Sequence, residues 1–330
     1  MNKKIFTLLT VAALTIGAYA ATAFTLTEKE NAQITEEAED WIDNMPAGLQ
    51  DRLSDAVYHA MRGFNSEIES IRNYKDTSDF KQFPVIVAEI KGGGYQNIPM
   101  RVYVPVEKKL EVQPILIFFH GGGWSLGSLD SGEKFCRSLA ALGNITVISV
   151  DYPLAPEHPY PASINVCNDA VKYIYANVKN WNSSSELVNL GGDGAGANLA
   201  IATFESLPVD IDIKSLVLYY PLIKTSGQLN AELKRKYGRG FGFDSRLWES
   251  FIEAYKGEEL ESKRSLPPTL LINAGRDIIL DQSREFSSQS ENIISVELKG
   301  ALHGFISDGQ QNTALKKSVE FTNDFIMSNK

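Results

Sequence analysis

Short apolar runs alternate with amphipathic helical patterns along most of this chain, and no other feature of the sequence restricts the fold as much. Strand-like segments fall at Val85–Ile90, Met100–Val104, Ile115–Phe119, Ile145–Val150, Leu187–Leu190, Leu216–Tyr220, Leu270–Ile272 and Ile293–Leu298. The middle ones are unbroken apolar stretches, the pattern of strands buried on both faces. Between them, Asp130–Leu142, Ala162–Asn177, Gly194–Ser206, Asp281–Ser290 and Ala314–Met327 carry apolar residues at three- and four-residue spacing, which predicts helices. Alternating β and α with short connections gives an α/β fold, a mostly parallel sheet covered on both sides.

Two stretches stand outside the alternation. Residues 25–79 are polar and helical in pattern, with Ala38, Trp41, Ile42 and Met45, then Leu53, Val57 and Met61, as candidate inner faces. Residues 224–266 separate the sixth and seventh strand-like runs. Insertions near the carboxyl ends of strands tend to roof the ligand crevice of such sheets, so the two are read together as a cap on a single domain spanning 21–330.

Composition narrows the partners. A net charge of −9 on 330 residues disfavours nucleic acid and anionic membrane surfaces, which would repel the protein over its whole approach. The basic cluster Lys234-Arg235-Lys236 with Arg239 is read as a solvated face. At the N-terminus, Lys3 and Lys4 precede a charge-free apolar run from Ile5 to Gly17, and Ala18-Tyr19-Ala20 supplies a small-x-small cleavage pattern. Residues 1–20 are therefore expected to be a leader that directs export to the periplasm or medium, cleaved after Ala20 or, as second choice, Ala23. Loss of Lys3 and Lys4 takes the charge from −9 to −11. The uncharged run reaches Phe24, but its threonines and glycine weaken it as a membrane span, and none is expected after cleavage.

Three glycine-containing turns carry the chemistry. Ile115–Phe119 runs directly into His120-Gly121-Gly122-Gly123-Trp124, where side-chain-free residues let backbone N–H groups point at a developing oxyanion. Asp151–Pro159 follows the next strand, and its prolines mark a rigid connection in which Glu157 and His158 are read as structural. Leu187–Leu190 leads into Gly192-Asp193-Gly194-Ala195-Gly196, the frame of a Gly-Xaa-Ser-Xaa-Gly turn with glycine at the central position. Downstream, Asp277 lies just past one strand and His303 past the last, each in the order expected of an orienting acid and a base. His59 lacks such a context and reads as a helix residue, and the four histidines and two cysteines show no metal-ligand spacing.

Together His120–Trp124, Leu154–Pro159, Gly192–Ala200, Asp277 with Asp281, and Ala301–Phe305 resemble, in order and spacing, the hormone-sensitive-lipase-like group of α/β-hydrolases, which includes many bacterial carboxylesterases. The resemblance covers the chain from about Val85 to its C-terminus. It implies an eight-stranded sheet, a helical cap, a site without cofactor or metal, and an oxyanion hole at the N–H groups of Gly122, Gly123 and Ala195. It also implies a strand order that puts the helices of Cys136 and Cys167 on opposite faces of the sheet, hence two free thiols.

Gly194 departs from the family pattern. In serine proteases, loss of the nucleophile lowers turnover on the order of 10⁶-fold, while oxyanion hole and binding retain roughly 10³–10⁴ over water. Ser183, Ser184 and Ser185 precede the strand and Ser206 lies far along the helix, so none of these stands in. Three readings remain, one of them an engineered knockout used to trap substrate. The chain binds a small ester or acyl ligand in an esterase-like pocket with weak or absent hydrolysis, or His303 with Asp277 acts as a general base in a non-covalent hydrolase or lyase. The leader can be checked directly: intact-mass measurement of exported protein should give a chain beginning at Ala21, and an exported chain that retains Met1 would overturn the cleavage site.

Overall fold

The computed structural model describes residues 24–73, 82–93, 97–225, 228–260, 264–307 and 311–330. The expected leader, 1–20, lies outside the described residues. Eight strands form one sheet: β1 (Val85–Gly92), β2 (Ile98–Pro105), β3 (Ile115–Phe119), β4 (Thr146–Val150), β5 (Val188–Asp193), β6 (Leu216–Tyr219), β7 (Thr269–Arg276) and β8 (Ile293–Leu302). Their order is β1-β2-β4-β3-β5-β6-β7-β8. β2 pairs antiparallel with both β1 and β4, and every pair from β4 and β3 through β8 is parallel.

The continuous apolar runs end up buried on both faces. In β3, Ile115, Ile117 and Phe119 join one core layer while Leu116 and Phe118 join the other, and β6 divides Leu216 and Leu218 from Val217 and Tyr219 in the same way. The chain steps from β3 to β4 and then back across β3 to β5. Right-handed crossovers therefore send α4 (Glu133–Ala141) and α5 (Ala162–Ala176) to opposite faces. Cys136 is buried in one layer and Cys167 in the other, and both thiols are free.

Local chemistry explains where element limits differ from those read in the sequence. α4 begins at Glu133 rather than Asp130, because Ser128 and Ser131 build a turn over the preceding residues and Asp130 is drawn to Arg101 at 2.6 Å. β6 stops at Tyr219 because Tyr220 takes a φ of +33°. α9 (Leu280–Ser287) ends before Ser290, where Ser287 and Ser288 hydroxyls capture the carbonyls of Arg284 and Glu285.

The N-terminal stretch divides in two. α1 (Glu28–Asn44) lies along β8 and α10 (Asn312–Ser328), burying Ile34 and Ala38. It is tied there by Lys317–Glu30, Arg276–Glu39 and Thr313–Glu37 contacts. α2 (Leu49–Ala60) instead packs on α8 (Ser245–Tyr255) of the insertion, which also holds α7 (Ala231–Tyr237). Lys234, Arg235, Lys236 and Arg239 are exposed, as is His59 beside Glu67. No helix among the described residues is long and apolar enough to cross a membrane.

α3 (Ser66–Arg72) supplies a brace. Arg72 donates to Ser125 O at 2.9 Å, to Ala155 O at 2.7 Å and to both Glu157 carboxyl oxygens at 3.0 and 2.9 Å, joining the N-terminal helices to the two loops after β3 and β4. Burial opposes the charge on Glu157, but the Arg72 hydrogen bonds prevail and hold its carboxyl below the usual range. Arg72→Met should destabilise the fold by about 1–3 kcal/mol. Glu157 has a lowered folded pKa, so its share of the stabilisation is present above the unfolded value and lost as pH falls through the folded one. Urea titrations of both proteins should show a gap at pH 7 that narrows below pH 4.

Candidate active site

The loops that follow β3, β5, β7 and β8 meet at the carboxyl edge of the parallel strands, where such sheets hold their ligands. Gly194 is the single residue between β5 and α6 (Ala195–Ser206), with φ 53° and ψ −112°. Its backbone is held on both sides: its N–H donates to Tyr219 O at 3.0 Å, and its carbonyl accepts from Leu222 N at 3.0 Å and Asn198 N at 3.3 Å. The flanking glycines are needed for close approach, since a Cβ at Gly192 or Gly196 would overlap backbone, including the carbonyl of Phe119. A Cβ at Gly194 would meet only His303, 3.2 Å from Nε2 and 3.7 Å from Cε1.

His303 and Asp277 emerge side by side because of an irregularity between their strands. Ala274 pairs with Leu298 but Arg276 pairs with Leu302, so residues 299–301 of β8 face Gly275 alone. His303 Nδ1 then lies 2.7 Å from Asp277 Oδ2, while Asp277 Oδ1 accepts from Ile279 N at 3.1 Å. A carboxyl oxygen as partner places the imidazole proton on Nδ1 and leaves Nε2 as the acceptor facing Gly194. The ring lies between Phe243, 4.3 Å away and stacked, and Tyr220, 4.7 Å away and tilted.

The glycine loop after β3 closes on itself, with Ser125 N and Leu126 N donating to Gly122 O at 3.1 and 2.7 Å. Gly122 has φ 109°, and a Cβ there would overlap the Leu126 carbonyl. Among the described residues the N–H groups of Gly122, Gly123 and Ala195 donate to no loop carbonyl, and Ala195 opens α6, where N–H groups have no intrahelical acceptor. Gly122 and Gly123 share the cavity lining with Gly194, and Ala195 adjoins it in sequence. Trp124 anchors the loop by stacking on Tyr255 of α8, rings 4.3 Å apart and 2° from parallel.

Gly194, His303, Gly122 and Gly123 line a cavity of about 260 Å³. Trp41, Leu49 and Leu53 from α1 and α2, and Phe243, Leu247 and Phe251 from the insertion, form its apolar wall. Ile42, Met45 and Met61 are not in the lining. The described lining contains no Lys or Arg. Two hydroxyls that sequence reasoning did not consider, Ser131 and Ser307, also line it. Both are engaged: Ser131 Oγ accepts from Ser128 N at 3.0 Å, and Ser307 Oγ donates to Asp193 Oδ2 at 2.9 Å.

Asp193 is a further group the sequence did not single out, although it stands inside the glycine motif. Burial pushes its carboxyl up, and Ser307, the Gly121 N–H, His303 and Tyr220 each pull in the other direction. His120 is fully buried, stacks on Tyr152 at 4.4 Å and bonds through Nδ1 to Gly121 O at 2.8 Å, supporting the glycine loop from beneath. Among the described residues no group of three or more His, Cys, Asp or Glu side chains could hold a metal ion.

Comparison with known proteins agrees with the fold. Residues 116–307 match the family model described as alpha/beta hydrolase fold. A carboxylesterase of Mycobacterium tuberculosis is 33% identical over 181 residues, covering 54% of this chain and 56% of that protein. The arylacetamide deacetylase of Oryctolagus cuniculus is 27% identical, covering 84% of this chain and 69% of its own. In structure, a carboxyl esterase from the mycorrhizal fungus Tuber melanosporum superposes with a TM-score of 0.72 at 21% identity, over 89% of this chain and 98% of that one.

Burial lowers the His120 pKa from 6.5 to about 4, against the opposing effect of the Gly121 hydrogen bond. The unfolded chain therefore takes up the proton first as pH falls. Stability should be flat above about pH 6.5 and decline by on the order of 3 kcal/mol towards pH 4. Denaturant midpoints measured from pH 7.5 to 4.5 should show that slope, and His120→Asn should flatten it.

Proposed function

The chain belongs to the alpha/beta-hydrolase fold family, and from that premise we propose that it is an exported, carboxylesterase-like protein that binds a small ester or acyl ligand without forming an acyl-enzyme. The observation that carries the reading is Gly194. It occupies the turn where this family's resemblance puts the nucleophilic serine, and it offers no hydroxyl to the Nε2 atom that faces it. The ligand is expected to be uncharged and largely apolar on its acyl side, because Trp41, Leu49, Leu53, Phe243 and Phe251 form the wall and the described lining has no Lys or Arg for a carboxylate. The leader expected at residues 1–20 supports export.

The turn keeps a backbone conformation that L-residues rarely adopt, which glycine holds without strain. Restoring a side chain should therefore destabilise the fold by roughly 1–3 kcal/mol. The native protein should give no adduct with a fluorophosphonate probe and hydrolyse p-nitrophenyl acetate only slowly. Gly194→Ser should gain both covalent labelling and fast esterase turnover, since acid, base and oxyanion donors are already arranged around it. Rapid labelling of the native protein would overturn the reading. A folded Gly194→Ser protein that stays unlabelled would show that the remaining groups are not preorganised for ester cleavage.

A further inference from the structure

We infer that Gly194 admits a water molecule which His303 activates directly, so that the protein hydrolyses small neutral esters with good leaving groups in one addition and elimination at the acyl carbon. This rests on the ester-binding reading of the pocket and specifies its chemistry. A Cβ at Gly194 would sit 3.2 Å from His303 Nε2, and apart from that ring and the adjoining residues of the chain nothing described lies within 4 Å of it. The space that a serine side chain would fill is close to the ~30 Å³ share of one water. A water in that space, kept at van der Waals distance from the Gly194 Cα, can donate to Nε2.

Three features keep that geometry productive. The Gly194 backbone cannot relax into the space, because Tyr219, Leu222 and Asn198 hold its N–H and carbonyl. The imidazole is held in place by Asp277, 2.7 Å from Nδ1, by the stacked Phe243 ring and by the tilted Tyr220 ring. Of the two serine hydroxyls in the described lining, Ser307 Oγ donates to Asp193 and Ser131 Oγ accepts from Ser128 N.

The step balances without a further reactant. The water oxygen bonds to the acyl carbon, its proton passes to His303 Nε2, and the carbonyl electron pair moves to the oxygen received by the N–H groups of Gly122, Gly123 and Ala195. The carbonyl then re-forms, the bond to the alcohol oxygen breaks, and that oxygen takes the proton back from Nε2. The products are the carboxylic acid and the alcohol, and the imidazole is restored. A positioned base alone contributes on the order of 10²–10⁴, which suits a phenol-like leaving group better than an alkoxide.

The test uses the full-length mature protein with p-nitrophenyl acetate as substrate and p-nitroacetanilide, its slowly cleaved amide counterpart, as binding probe. Expected results are linear progress with no burst, no acetyl adduct in the intact mass of acid-quenched protein, and solvent ¹⁸O in the acetate of the first turnover. Gly194→Ala puts a methyl group where the water would sit, so it should lower the rate at least about tenfold while still binding p-nitroacetanilide. His303→Gln should lose at least as much and guards against a Gly194→Ala protein that fails to fold. An undiminished rate in a folded Gly194→Ala protein, an acetyl adduct, protein oxygen in the first acetate, or equal rates for native protein and His303→Gln would overturn the inference. Failure to bind p-nitroacetanilide would instead overturn the ligand reading beneath it.

Discussion

The rest of the site is arranged around the backbone of one residue, Gly194, which carries the chain from β5 to α6 without any intervening loop. Such a sharp turn requires the helix to start almost against the neighbouring strand. The missing side chains of Gly192 and Gly196 permit that, bringing α6 up to the carbonyls of Phe119 and His120. The same contact sets the first N–H of α6 beside the glycine loop that leaves β3. Backbone N–H groups from two distant parts of the sequence are thus brought near one another by the packing of α6 against the sheet.

A second constraint comes from above. Phe251 lies against Gly123 and Phe243 over the face of His303, so the apolar wall touches the catalytic-type groups at two points, while Trp41 against Gly242 ties the wall's two parts together. Trp124 against Tyr255 adds an aromatic stack worth about 0.5–1.5 kcal/mol beyond its buried area. Arg72 fixes the far side by holding the carbonyls of Ser125 and Ala155. The shape of the cavity therefore depends on helices outside the sheet, although the groups that could do chemistry all follow strands.

Sequence patterns gave up the sheet readily because both-face burial leaves an unmistakable signature: Ile115–Phe119 and Thr146–Val150 are apolar or small throughout and bounded by turn residues. Asp277 and His303 were legible for a related reason, since strand ends are where such sheets expose polar groups. What escaped were contacts made only in three dimensions. Nothing local in the sequence marks Phe243 as the residue stacked on His303, Ser307 as the partner of Asp193, or Arg72 as a brace to Glu157. Nor does composition reveal that α1 lies along β8 and sends only its Trp41 end towards the pocket, because its polar face and apolar stripe suit either placement.

The conformation at Gly194 also separates two causes that are usually inseparable in such turns. Where a serine occupies the position, strain and function coincide, and the turn can be regarded as held for the sake of the hydroxyl. Glycine has no steric reason to prefer φ 53° and ψ −112°, and its backbone is fixed there by donating to Tyr219 O and accepting from Leu222 N and Asn198 N. Tyr220, next to β6, carries a positive φ of its own while its hydroxyl reaches Asp193 and its ring backs His303. Preorganisation therefore resides in the surroundings of the turn and persists whatever side chain it bears. A chain with this sequence keeps an oriented imidazole as a consequence of its fold, and the chemistry open to it is set by what can occupy the space beside Nε2.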